Sequence, residues 1–194
     1  NARREVHHRV KNHLQLIASI MNIQARKSES EEVKQAFREN IARVQSIASI
    51  NEILTANDEG PAPLMPFLEK LKNQFLLLYG AEYPDDLTVS QDQATDVALV
   101  VNELVSNAYK HAFKGRENGE IRVILKNGER YASVTVQDNG TGTEEIRNEG
   151  NFGMMLVQMT VKDKLKGKVY VESGENGTSV TFDFLIDKST ETGI

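Results

Sequence analysis

The chain has 194 residues, 39% of them apolar and 26% charged, with a net charge of −5 and no cysteine. That length holds one large domain or two small ones, and the apolar share suffices for a buried core. The missing cysteines exclude disulfides, thiolate metal sites and cysteine nucleophiles, and the 23 basic residues are too dispersed for the electrostatic footprint of duplex binding.

No apolar run approaches the roughly 18 residues of a membrane-spanning helix, and the first residues lack a signal-peptide layout. Cytoplasmic residence without membrane contact by this segment is the expectation. Because the chain opens on Asn1 rather than methionine, a preceding sensor or anchor segment is also expected. Asn139-Gly140-Thr141 and Asn176-Gly177-Thr178 match a glycosylation pattern, but without a secretory signal they read as tight turns.

In chain order, Val6, Val10, Leu14, Ile17 and Met21 repeat at three- and four-residue intervals between about Arg4 and Arg26, the period of one helix face. Val33, Phe37, Ile41, Val44, Ile47, Ile50 and Leu54 repeat it, and Ser28-Glu29-Ser30-Glu31 between them supplies cap-forming residues. An antiparallel hairpin follows. It cannot bury such wide apolar stripes alone, so a homodimeric four-helix bundle is expected. Turn and proline residues over Asn57–Pro63 disfavour helix and mark a boundary between domains at 1–58 and 59–194.

The second domain is expected to open with a helix carrying Leu64, Leu68, Leu71, Phe75 and Leu78, then a longer one from Gln91 to Phe113 with Ala94, Val97, Ala98, Val101, Val105 and Ala108 inward. The period then falls to two. Ile121–Leu125 and Ser133–Val136 flank Asn127-Gly128, which predicts a tight hairpin with positive φ at both turn residues. A short helix from Gly153 to Lys162 precedes strands around Val169–Val171 and Val180–Phe184. The fold class is α+β: a helical hairpin, then a sheet with helices on one face.

Glu103, Asn107 and His111 are spaced by four on the long helix and share one face, which alone reads equally well as solvated. Downstream stands Asp138-Asn139-Gly140-Thr141-Gly142, where glycines permit close backbone approach and an aspartate can accept from an amino group. Gly150-Asn151-Phe152-Gly153 opens a helix, whose amides suit phosphate oxygens. Gly177-Thr178 precedes the last strand.

From Pro61 to Asp187 these residues resemble the Bergerat ATP-binding fold of the superfamily that joins gyrases, heat-shock chaperones, histidine kinases and MutL. Its N box, Glu-x-x-x-Asn-x-x-x-His-Ala, stands as Glu103, Asn107, His111 and Ala112; its first glycine box as Asp138, Gly140 and Gly142; its second resembles Phe152-Gly153-Met154-Met155-Leu156-Val157, with Met154 in a leucine place. The resemblance implies ATP and Mg²⁺: Asp138 on the adenine amino group, Asn107 on a metal bridging the phosphates, residues 142–153 as a lid, and His111, Phe152, Gly153, Met154 and Thr178 lining the nucleotide. Glu103 would polarise the attacking group. No Gly-x-x-x-x-Gly-Lys-Ser/Thr occurs, so the P-loop route is excluded.

Glu5-Val6-His7-His8-Arg9-Val10-Lys11-Asn12-His13 resembles the phosphoacceptor box of HHRVKN-type histidine kinases, relatives of the HWE group, over Arg4–Thr55. The resemblance implies autophosphorylation of a histidine and phosphotransfer to a response-regulator receiver domain. Helix geometry selects the acceptor independently: at about 100° per residue, His13 falls inside the apolar face as a core histidine, His7 lies roughly 90° from its centre, and His8 points about 170° away. Asn12 stands four after His8, placed to orient a water or carboxylate there. The alternatives are a serine kinase of the anti-sigma-factor type, which has no use for the hairpin, and a clamp ATPase, for which the chain is short. The tail over Ser189–Ile194 is polar and aperiodic, and expected to be dispensable.

Overall fold

The computed structural model describes residues 2–54, 62–64, 69, 78–82, 88–111, 118–142 and 152–186. The chain divides into two compact units, Asn1–Gly60 and Pro61–Ile194.

In the first unit α1 (Ala2–Lys27) and α2 (Glu31–Leu54) pack against each other. Three residues separate them: Ser30 caps α2, its hydroxyl accepting from the Val33 N–H at 3.4 Å and its carbonyl from the Lys34 N–H at 3.0 Å. The stripe of α1 that α2 covers is His7, Lys11, Leu14, Ala18, Met21 and Ala25, all buried or half-buried. Phe37, Ile41, Val44 and Ala48 are likewise covered on α2. Lys11 Nζ and Glu52 Oε1 join the two helices at 3.0 Å.

The apolar arc of α1 is wider than this seam. Val6, Val10, Leu16, Ile17, Ile20 and Ile23 stay exposed within the single chain, beside the covered stripe. His13, expected inside the apolar face, is exposed within the single chain, on the part of the arc that α2 leaves open.

The second unit is built on a five-stranded sheet, ordered β2 (Leu78–Glu82), β4 (Ile121–Lys126), β5 (Tyr131–Asp138), β7 (Gly177–Leu185), β6 (Val169–Gly174). β1 (Ala62–Pro63) and β3 (Thr88–Val89) pair separately. β2 runs parallel to β4, which requires a crossover, and α3 (Gln91–His111) lies between them in the chain. Leu78, expected at the end of a helix, instead opens β2 opposite Ile121. Leu68, Leu71 and Phe75 of that expected helix lie outside the described residues. Ser90 caps α3, accepting from the Gln93 N–H at 3.2 Å.

Alternation sets one face of the sheet inward. Ile121, Val123 and Leu125 of β4, Ala132, Val134, Val136 and Asp138 of β5, and Thr178, Val180, Phe182 and Phe184 of β7 are all buried. The opposite face is wetter, with a Thr135–Thr181 hydroxyl pair at 2.8 Å. α3 packs on β4 and β5, and α4 (Phe152–Met159) packs on α3. α4 runs on into a π-helical turn, Thr160–Lys164, closed by the Leu165 N–H on the Thr160 carbonyl at 3.1 Å.

The β4–β5 connection differs from the expected two-residue turn. Neither Asn127 nor Gly128 has positive φ, because the register sets Lys126 opposite Ser133, too far apart for such a turn. That register brings Ile121, Val123 and Leu125 opposite Asp138, Val136 and Val134, so both inward rows match along their length. Gly128 is required for another reason: a Cβ there would collide with the Tyr131 carbonyl oxygen. β6 and β7 do turn in two residues, pairing Gly174 with Gly177.

Phe182 is fully buried, its ring 6.3 Å from that of Phe184. Phe182→Ala should therefore lower unfolding free energy by about 3–5 kcal/mol in urea titrations of the folded chain.

Candidate functional site

The inward alternation of β5 carries a carboxylate into the helix-covered side of the sheet, because Asp138 continues the row of Val134 and Val136. It is only 6% exposed. Its Oδ1 accepts the Gly140 N–H at 2.9 Å and the Thr178 N–H at 3.2 Å. One oxygen of the carboxylate thus ties the end of β5, the following loop and the start of β7. Burial pushes the Asp138 carboxyl above the usual carboxylate range, and these two backbone donors draw it partway back.

The surrounding backbone leaves no room for side chains. Gly177 has φ +124°, and a Cβ there would strike the Asp138 carbonyl oxygen. Gly142 has φ +74°, and a Cβ would strike the Gly174 carbonyl and the Ser173 hydroxyl. Ser173 and Thr178 share a hydroxyl hydrogen bond at 2.9 Å. Asn139, inside the first glycine box, clamps the loop: Glu120 N–H donates to its Oδ1 at 2.8 Å, its N–H to the Glu120 carbonyl at 3.2 Å, and its Nδ2 to the Asn118 carbonyl at 3.2 Å. The sequence marks it only as a turn residue; its clamp depends on Asn118 and Glu120, some twenty residues away in the chain.

On α3, Glu103 and Asn107 are 3% and 7% exposed, so their stripe is not a solvated face. The Asn107 Nδ2 is buried and makes no hydrogen bond. A buried amide N–H in that state suits a missing acceptor such as a phosphate oxygen. A cation beside phosphate oxygens would accept the amide oxygen as a ligand. His111 closes α3. In α4, Phe152 is exposed while Gly153 and Met154 are buried.

The structure therefore gathers Asp138, Gly140 and Thr178 by direct bonds, and sets Glu103 and Asn107 on the helix that packs over β5. His8 and Asn12 belong to the other unit. Both are exposed on α1, while His7 is half-covered at the seam. Lys11 and Glu52, bonded near His8, escaped the sequence reading because they are 41 residues apart.

A single-layer sheet covered on one side by helices, with a buried aspartate held by one amide of the following glycine loop and one at the start of β7, has the features of an ATP-binding domain of the Bergerat class. A model described as "Histidine kinase" matches residues 5–79, and one described as "Histidine kinase-like ATPase domain" matches residues 76–184. The chain belongs to the histidine kinase family. It is 29% identical over 189 residues to the sensor histidine kinase PdtaS of Mycobacterium tuberculosis, covering 91% of this chain and 38% of that protein. It thus spans well under half of that relative's length. The histidine kinase domain of the Erythrobacter litoralis EL346 blue-light activated histidine kinase superposes with a TM-score of 0.64 at 27% identity, covering 94% of this chain and 92% of that one. Histidine kinase ThkA, solved in complex with response regulator protein TrrA, shares the fold with a TM-score of 0.54 at 21% identity, covering 98% of this chain and 62% of that one.

Asp138→Asn offers a test with two opposed readouts. A raised carboxyl pKa favours the protonated form in the folded chain, so its stabilisation is present below the ordinary aspartate pKa and lost as pH rises through the raised value. The neutral amide keeps an Oδ1 for both backbone donors and removes that loss. Nucleotide-free Asp138→Asn should match or exceed the parent in Tm at neutral pH, while ATP affinity falls. A hydrogen bond to a charged group contributes about 1.5–3 kcal/mol, so the loss should be roughly tenfold to hundredfold by calorimetric titration.

Proposed function

We propose that this chain is the catalytic core of a sensor histidine kinase, acting in the cytoplasm as a homodimer and passing its phosphoryl group to an aspartate of a response-regulator receiver domain. One observation carries the reading: a histidine exposed on a helical hairpin, His8, stands in the same chain as an ATP-binding domain. The exposed Val6, Val10, Ile17 and Ile20 face of α1 supports dimerisation, since a second hairpin would cover it. ThkA's complex with a response regulator supports the choice of partner.

In the mechanism we favour, the Asp138 carboxylate accepts from the adenine amino group while the Gly140–Gly142 backbone lies against the nucleotide. The first turn of α4 offers N–H donors to phosphate oxygens, and Phe152 flanks them. Asn107 would hold Mg²⁺, which neutralises phosphate charge when bound. Phosphoryl transfer asks a protein chiefly for such positioning and electrostatics. A ring nitrogen of His8 attacks the γ-phosphorus with its lone pair, the bond to the bridging oxygen breaks with its electrons leaving on ADP, and the ring's other N–H proton passes to solvent. Asn12, one turn on, orients the later receiver carboxylate or a water. Glu103 polarises the transfer region from α3.

Incubation with labelled ATP tests the class, since phosphohistidine is acid-labile and base-stable. Acid-stable label would identify the serine-kinase alternative, and turnover without label a clamp ATPase. His8→Gln should abolish labelling with ATP binding and dimerisation intact, whereas His7→Gln should only slow it; phosphate mapped to His7 by mild-fragmentation mass spectrometry would overturn the assignment. Asn107→Asp, which sets a charge beside the phosphates, should abolish productive Mg-ATP binding; full autophosphorylation by that variant would remove Asn107 from the site.

A further inference from the structure

The seam between α1 and α2 contains a residue that packing alone does not explain. Positions 7, 11, 14, 18, 21 and 25 of α1 face α2, and position 11 is a lysine whose ammonium meets Glu52 at 3.0 Å. Side chains at 39% and 59% exposure make a half-solvated pair of little value to stability. Glu52 also lies in the last turn of α2, which contains no basic residue, and a carboxylate there opposes the helix dipole. Lys11 and Glu52 stand at one end of an open groove between the helices, with Gln15, Ser19, Gln45 and Ser49 along it. His8 is three residues before Lys11, so their Cβ atoms are about 5–6 Å apart on the helix surface. Arg9, the cation next to His8 in the chain, is tied within α1 to Glu5 at 2.6 Å.

We propose that Lys11 is a phosphoryl-binding residue for the group on His8, and that Glu52 is its positioning partner, holding the ammonium aside until the phosphoryl group arrives. The proposal rests on His8 being the acceptor. When the N–P bond forms and ADP departs with the broken bond's electrons, a group of about −1.5 to −2 charge, typical of a phosphorylated side chain, comes within reach of Lys11. A flexible stem and compact ammonium let lysine change partners without moving its helix. Lys11 exchanges the single charge of Glu52 for the larger charge of the phosphoryl oxygens. Glu52 thereby competes with phosphohistidine for one cation.

Competition makes the two halves of the pair act in opposite directions. Lys11→Met should shorten the half-life of phosphohistidine several-fold after ATP and ADP are removed, because the phosphoryl group loses its counter-charge. Glu52→Gln should lengthen it, because Lys11 is released. A bridge that merely fastened the helices would give both variants the same sign, and the charge-exchanged Lys11→Glu/Glu52→Lys double variant would restore the parent half-life. Here the double variant should decay at least as fast as Lys11→Met, since it sets a carboxylate beside the phosphoryl group. Measured on the full chain by ³¹P NMR with Tm in parallel, equal signs, no change, or rescue by the double variant would overturn the proposal while leaving His8 as acceptor. Phosphate mapped to His7 would overturn the acceptor assignment and this proposal together.

Discussion

The catalytic unit depends on a single oxygen. Asp138 Oδ1 receives N–H groups from the loop after β5 and from the start of β7, joining two chain segments separated by 40 residues. A buried carboxylate without such donors would be too unfavourable to keep ionised, and one with all its capacity used would have nothing left for a ligand. The arrangement lies between these limits. Two amides anchor one oxygen, and the second can address an amino group. The inward row of β5, the positive φ of Gly177 and the Asn139 clamp all serve to bring those amides to that atom.

The hairpin solves a different problem with the same means, namely exposure set by helical phase. His7 and His8 are neighbours in sequence, yet one sits at the seam with α2 and the other in solvent. The width of the apolar arc on α1, more than α2 can cover, fixes where each points: one edge is taken by α2, the adjoining edge lies open, and His8 has the remaining side. The exposed placement of His8 and the uncovered apolar edge thus follow from one distribution of side chains around α1.

Much of this was legible in advance. The start of α3 at Gln91, the strands at 121 and 133, and the helical hairpin followed from periodicity and capping residues, which are local. The phase of His8 was legible too, since it needs only the rotation per residue. What failed needed pairing information. Asn127-Gly128 looked like a two-residue turn, but matching the inward rows of β4 and β5 prevailed over the preference of two residues. Leu78 continued a helical period and instead found a partner in Ile121. In the site, the N box and glycine boxes could be placed, whereas the Ser173–Thr178 bond and the Asn139 clamp could not, because each needs a partner distant in sequence or a register.

Two glycines of the loops near Asp138 are hemmed in by main chain. At Gly142 and Gly177 even one added carbon strikes a neighbouring carbonyl, so that part of the site's shape is written in atoms that no codon specifies. A small-molecule inhibitor that draws its affinity from those peptide groups would meet few escape routes: substitutions that alter the surface it touches also disturb the strand ends that hold Asp138.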